Sequence, residues 1–223
     1  MPLKARTVAF SSDGQLIASG THDGNIQLWQ TSDATLLRTW VGRGVYQLVF
    51  SPDNTILVSI SGDKAIRVWQ VSTGHLLNTL PYENSESAIR VAISPNSQTL
   101  AVISERWESN ASSYEVKLWS ILEGREVRRL DGHWNKDTNA GSWSVDVLGK
   151  FKVDHAPSVA FSPDGQLIAV GSSYGFLCLC DVETGRELHF LQGHAAAIRN
   201  VVFSPTGQYL ASGSTDGTVV VWK

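Results

Sequence analysis

The sequence repeats itself at intervals of roughly 40 residues, and a repeat of that length limits the fold more than any other feature. The fullest copy is GHAAAIRNVVFSPTGQYLASGSTDGTVVVWK, Gly193 to Lys223. Three apolar runs lie in it, Ile198 to Phe203, Tyr209 to Ala211 and Thr218 to Trp222. Pro205-Thr206-Gly207 and Thr215-Asp216-Gly217 separate them, so the stretch is expected to fold as a three-stranded antiparallel meander. VAFSSDGQLIASGTHDGNIQLWQ (from Val8), LVFSPDNTILVSISGDKAIRVWQ (from Leu48) and VAFSPDGQLIAVGSSYGFLCLCD (from Val159) repeat it. A further copy opens as VAISPNSQTLAVIS at Val91 and closes at VKLWS, Val116 to Ser120. The copies are anchored on Phe10, Phe50, Ile93, Phe161 and Phe203, in steps of 40, 43, 68 and 42 residues. One meander per period, with a fourth strand after each of the first four copies, predicts an all-β propeller of four-stranded antiparallel blades. The expected blades are 6–40, 45–80, 88–130, 157–191 and 198–223 of a single domain, 1–223.

The chain direction assigns the connections to faces. Antiparallel order puts the turns after the first and third strands of each blade on one face. The turns after the second strand and the links between blades lie on the other, called here the top. Blade five stops one residue past Trp222 and lacks an outer strand of its own. Met1 to Arg6 are too few to supply more than two or three paired residues. An open strand edge invites pairing with another chain. The expectation is therefore an arc that belongs to a larger propeller or is completed by another chain, with a self-contained five-bladed ring as the alternative.

Gly193-His194, Ser212, Asp216-Gly217 and Val221-Trp222 stand in the order and spacing of the WD-repeat family, and the chain resembles that family over nearly its whole length. The final aspartate of the motif has drifted: Gln30, Gln70 and Ser120 follow the tryptophans, and Asp181 follows Cys180. The resemblance implies a structural hydrogen-bond network of His194, Ser212, Asp216 and Trp222. In it His194 donates to Asp216, and Ser212 meets both the imidazole and the Trp222 indole. Ser, His and Asp in one place also suggest nucleophilic catalysis, but a serine held between indole and imidazole is not offered to a substrate. The other copies keep less. Blade four carries Tyr174 and Cys180 at the Asp and Trp positions and is expected to be the softest.

Two departures from the period point to function. Leu100 and Trp119 are 19 residues apart, against 12 or 13 between their counterparts, which places an insertion at 104–114. His133 and Phe161 are 28 apart, against 9 from His194 to Phe203, which places a second at 134–154. Within the second, Trp143 to Val147 and Lys150 to Val153 are expected to pair as a small hairpin. Both insertions rise from the top. Of eight tryptophans, Trp107, Trp134 and Trp143 lie in them. Tryptophan is enriched among binding hot spots, and loops on a rigid scaffold commonly carry binding. The bland reading is that these rings only pack the insertions onto the disc. Arg6, Tyr46, Ile89 and Arg199, at the starts of first strands, are the expected contacts at the channel mouth.

Composition narrows the partner class. A formal net charge of −3 offers no basic footprint for nucleic acid. No 18-residue apolar run is present, and the opening MPLKARTVAFSSDG has no apolar signal core, so neither membrane insertion nor export is expected. Cys178 and Cys180 lie two apart on one strand, poorly placed to bridge. No Cys or His partners complete a metal set, no cofactor motif is seen, and a reducing cytoplasm fits. The resemblance implies a non-catalytic scaffold or adaptor that binds protein or peptide partners through top-face loops. The alternatives are a sensory or regulatory segment of a longer signalling protein and, with less support, an enzyme sited in the central channel.

Overall fold

The structure, a computed structural model, describes residues 5–42, 44–80, 86–108, 111–130, 158–172 and 175–223, with the backbone alone for 86–89, 105–108 and 111–114. They form five antiparallel sheets in chain order. Sheet one holds β1 (Ala5–Phe10), β2 (Leu16–Thr21), β3 (Asn25–Gln30) and β4 (Leu36–Val41). Sheet two holds β5 (Val45–Phe50), β6 (Ile56–Ser61), β7 (Ala65–Gln70) and β8 (Leu76–Leu80). Sheet three holds β9 (Glu86–Ile93), β10 (Thr99–Glu108), β11 (Ala111–Ser120) and β12 (Arg125–Leu130). Sheet four holds β13 (Ser158–Phe161), β14 (Leu167–Gly171), β15 (Phe176–Asp181) and β16 (Glu187–Gln192). Sheet five has three strands, β17 (Ile198–Phe203), β18 (Leu210–Ser214) and β19 (Val219–Trp222). The all-β architecture and the missing outer strand agree with the sequence reading.

The turn after each first strand is built by one recurring device. Ser11 Oγ donates to Asp13 over 2.6 Å and accepts from the Leu16 amide over 2.9 Å. The same serine-to-side-chain bond recurs at Ser51–Asp53, Ser94–Asn96 and Ser162–Asp164. The last turn residue is left-handed in every sheet: Gly14, Asn54, Ser97, Gly165 and Gly207, with φ between 59° and 73°. Glycine occupies three of the five because a Cβ is penalised there.

Alternation along each strand sends one set of side chains to the sheet before and one to the sheet after. In β7, Ile66 and Val68 face forward, into a core with Val91, Leu100, Val102 and Trp119 of sheet three. Trp69 faces back, into a core with Ala18, Ile26, Leu28 and Trp40 of sheet one. Equivalent cores join sheets three and four and sheets four and five. Each aliphatic side chain buried in such a joint contributes about 1.5–3 kcal/mol. The first strands meet at the centre, β1 against β5, β5 against β9, β9 against β13 and β13 against β17. The Gln47 side chain ties two of them by bonds to the Val91 carbonyl and amide. Among the described residues no comparable packing joins sheet five to sheet one.

The insertion at 104–114 is not a separate loop. β10 and β11 run ten residues each and stay in antiparallel register to Glu105↔Tyr114, Trp107↔Ser112 and Glu108↔Ala111. Continuing the ladder pairs the backbone groups that a loop would leave to solvent. The second insertion, 134–154, with Trp134, Trp143 and the expected hairpin, lies outside the described residues, as do Met1 to Lys4 and Tyr174.

Candidate interaction surface

His194 sits in the link between sheets four and five, and its side chain is buried. Its Nε2 is 2.7 Å from Ser212 Oγ, which accepts the Trp222 indole N–H over 2.9 Å. Its Nδ1 is 2.9 Å from Thr218 Oγ1 and 3.3 Å from Asp216 Oδ2. Thr218 donates in turn to Asp216 Oδ1 over 2.6 Å. One assignment of protons serves every atom: Trp222 to Ser212, Ser212 to Nε2, Nδ1–H to Thr218, and Thr218 to the carboxylate. The sequence reading had His194 donating straight to Asp216. Thr218 is the nearer partner, and the Asp216 carboxylate also accepts from the amides of Ala195 and Thr218, both over 2.8 Å. The Thr218 hydroxyl, those amides and His194 hold the Asp216 carboxyl well below the usual carboxylate range. Glycine suits position 193 beside the network, because a Cβ there would come within 2.4 Å of the edge of the Trp222 ring.

The network is graded across the sheets. Trp69 donates to Ser59 over 2.9 Å and Trp29 to Ser19 over 3.1 Å. In sheet four both partners are replaced, by Cys180 and, at the serine position, Val170. Removing donor and acceptor together leaves no orphaned group. Burial, with Glu187 nearby, pushes the Cys180 thiol up to about 11 and the Cys178 thiol higher still.

The expected channel-mouth residues share a backbone feature that was not anticipated. β1 pairs Ala5 with Thr21 and Thr7 with Gly20, leaving Arg6 out of the ladder. Tyr46 is skipped between Val45 and Gln47, Ile89 between Ala88 and Arg90, and Arg199 between Ile198 and Asn200. A bulge re-aims the extra residue and sharpens the local twist. Four sheets therefore offer one unpaired residue each near the top of the innermost strand. Arg6 and Tyr46 touch, with the guanidinium carbon 4.3 Å from the ring centroid. Arg90, next to the sheet-three bulge, is held below the usual arginine value by burial and by the charge of Arg199, so the two lie in each other's field. The turns after the second strands and the links between sheets close the same face: the Gly42 amide donates to the Gly24 carbonyl, and Gly62 to Gly44, both over 2.8 Å. The β10–β11 hairpin, with Trp107 in it, extends from this side.

Among the described residues there is no cluster of His, Cys, Asp and Glu able to hold a metal. Among them, too, no helix is long and apolar enough to cross a membrane.

Five twisted antiparallel sheets stacked flank to flank about their first strands define a β-propeller arc. The family model "WD domain, G-beta repeat" matches residues 4–30, 34–70, 124–181 and 185–223, and the chain belongs to that family. Its members are in general interaction scaffolds rather than catalysts. The chain is 33% identical to the WD repeat-containing protein VIP3 of Arabidopsis thaliana over 84% of its own length and 55% of that protein's. It is 29% identical to the meiotic recombination protein rec14 of Schizosaccharomyces pombe over 41% of its length and 32% of that protein's. The chain thus spans about half or less of these relatives. The β-propeller domain of Cps50 (Swd1) from Myceliophteria thermophila superposes with a TM-score of 0.77 at 17% identity, over 99% of this chain and 66% of that one.

Proposed function

We propose that this chain is a non-catalytic scaffold whose top face binds protein or peptide partners in a reducing, cytoplasmic setting. The observation that carries this reading is the set of four bulges. They recur at one backbone position of the first strand, at Arg6, Tyr46, Ile89 and Arg199. Ladder pairing would be simpler without them, and bulges are found where a side chain must be re-aimed. The cationic and aromatic residues so placed are of the types enriched at binding hot spots. The grouping of Ser212, His194 and Asp216 is consumed by its bonds to Trp222 and Thr218, which argues for scaffold over catalyst. Trp107, on the projecting β10–β11 hairpin, and Trp134 and Trp143, in the second insertion, complete the proposed surface.

The test is in-cell crosslinking of the wild type beside two folded variants. One is R6A/Y46A/R199A and the other is W107A/W134A/W143A. The expected result is that partners captured by the wild type are lost from one or both variants. Full retention by both would overturn the assignment of the surface.

A further inference from the structure

The arginines of the first strands bear on the chemistry of the partner, an inference that rests on the top-face reading above. Other described arginines are used within the fold. Arg67 pairs with Asp63 over 2.6 Å, and Arg129 faces Glu115 and Glu126 over 3.4 Å. Arg38 and Arg128 donate to the carbonyls of Ser72 and Thr184 on the next sheet. Arg6 and Arg199 differ from these. Both are exposed, and both occupy the bulge position at the head of a first strand. Among the described residues neither has an ion-pair partner.

Arg6 is also restrained. Its guanidinium carbon lies 4.3 Å from the Tyr46 ring centroid, a cation–π contact. That contact forms no hydrogen bond, so the planar fork of N–H donors stays available, and such a fork fits a carboxylate. Arg90 is half-buried and follows the bulge of β9. The charge of Arg199 reaches it, although β13 of sheet four lies between β9 and β17. Cations of sheets three and five therefore share one region at the heads of the first strands. Two carboxylates of the top-face turns are already engaged, Asp63 by Arg67 and Asp216 by Thr218 and the Ala195 amide. Like charges gathered in this way repel one another and draw in an anionic ligand.

We propose that the partner presents an acidic peptide segment whose Asp or Glu carboxylates bind Arg6 and Arg199, beside Arg90. A peptide is the occupant rather than a nucleic acid. The positive charge is confined to the heads of three strands in a chain of formal net charge −3, whereas a phosphate backbone calls for a basic stripe.

The experiment is fluorescence anisotropy of the whole chain with labelled oligoglutamate, beside oligolysine and a neutral Gly-Ser peptide of equal length. R6E/R199E reverses the two cations, and R6Q/R199Q replaces it if the reversal fails to fold. R186E/K223E makes the same change of net charge after third strands, on the opposite face. Wild type and R186E/K223E are expected to bind oligoglutamate alike, more weakly as salt rises, and neither control peptide. R6E/R199E is expected to bind at least about tenfold more weakly. Equal binding by all three, no binding by wild type at low salt, or displacement of the peptide by a single-stranded oligonucleotide overturns the inference. The scaffold reading fails separately: cellular partners lost from R6A/Y46A/R199A without oligoglutamate binding keep the surface and reject the acidic ligand alone.

Discussion

Ser212 Oγ lies within hydrogen-bond reach of both the Trp222 indole nitrogen, at 2.9 Å, and His194 Nε2, at 2.7 Å, so one hydroxyl joins the last strand to the link before its sheet. Ser19 has the same relation to Trp29 at 3.1 Å.

S212A strands an indole N–H and an imidazole nitrogen together. It is expected to cost about 1–3 kcal/mol in urea unfolding, against about 1 kcal/mol for S19A. Equal losses would mean that the imidazole contributes nothing through Ser212.

Asp216 gives the network a defined pH dependence. Its carboxyl is lowered chiefly by the Thr218 hydroxyl, so its folded value lies below its unfolded one. The stabilisation is then complete above the unfolded value, about 4, and is lost as pH falls through the folded one. The stability gap between wild type and D216N should be constant from about pH 5 upward and should narrow below about pH 4. A gap that widens in acid would contradict this.

Replacing Gly193 with alanine puts a methyl group into the space of the Trp222 ring. Overpacking of this kind costs roughly 1–3 kcal/mol. The displaced indole should also change its fluorescence, which separates ring movement from a general loss of stability.

Cys178 and Cys180 are buried and free, and burial raises both thiols, Cys180 to about 11. The thiolate is the reactive form. Alkylation followed by mass spectrometry should leave both unmodified in the folded chain at mildly alkaline pH and label both after denaturation.

Much of the fold was legible because the repeat ties each strand to a turn. Phe50 followed by Ser-Pro-Asp, and Trp69 after an alternating run, place a sheet with little help from context. The role of Thr218 was not legible. Threonine after Asp-Gly reads as the first residue of a strand, and only the fold brings His194 beside it. Arg6, Tyr46, Ile89 and Arg199 were singled out by position alone, and the bulges beneath them were not legible, since an extra residue in a ladder leaves no mark in composition. Nor does sequence distinguish Phe10 from Phe50, because each follows the same alternation and only the neighbouring sheet decides which is covered. The insertion at 104–114 was legible in length but not in form, since polar residues such as Ser112 and Ser113 extend a strand when a paired neighbour extends with them.

The bulged residues also bear on how such a chain diversifies. A side chain within a ladder is constrained by its cross-strand neighbours and by the sheets on either flank. Arg6, Tyr46, Ile89 and Arg199 have no rung partner, so exchanging one changes what the rim presents without disturbing register or joint. On the proposed surface, specificity and folding are encoded at separate positions, and partner choice is free to drift sheet by sheet while the scaffold is inherited intact.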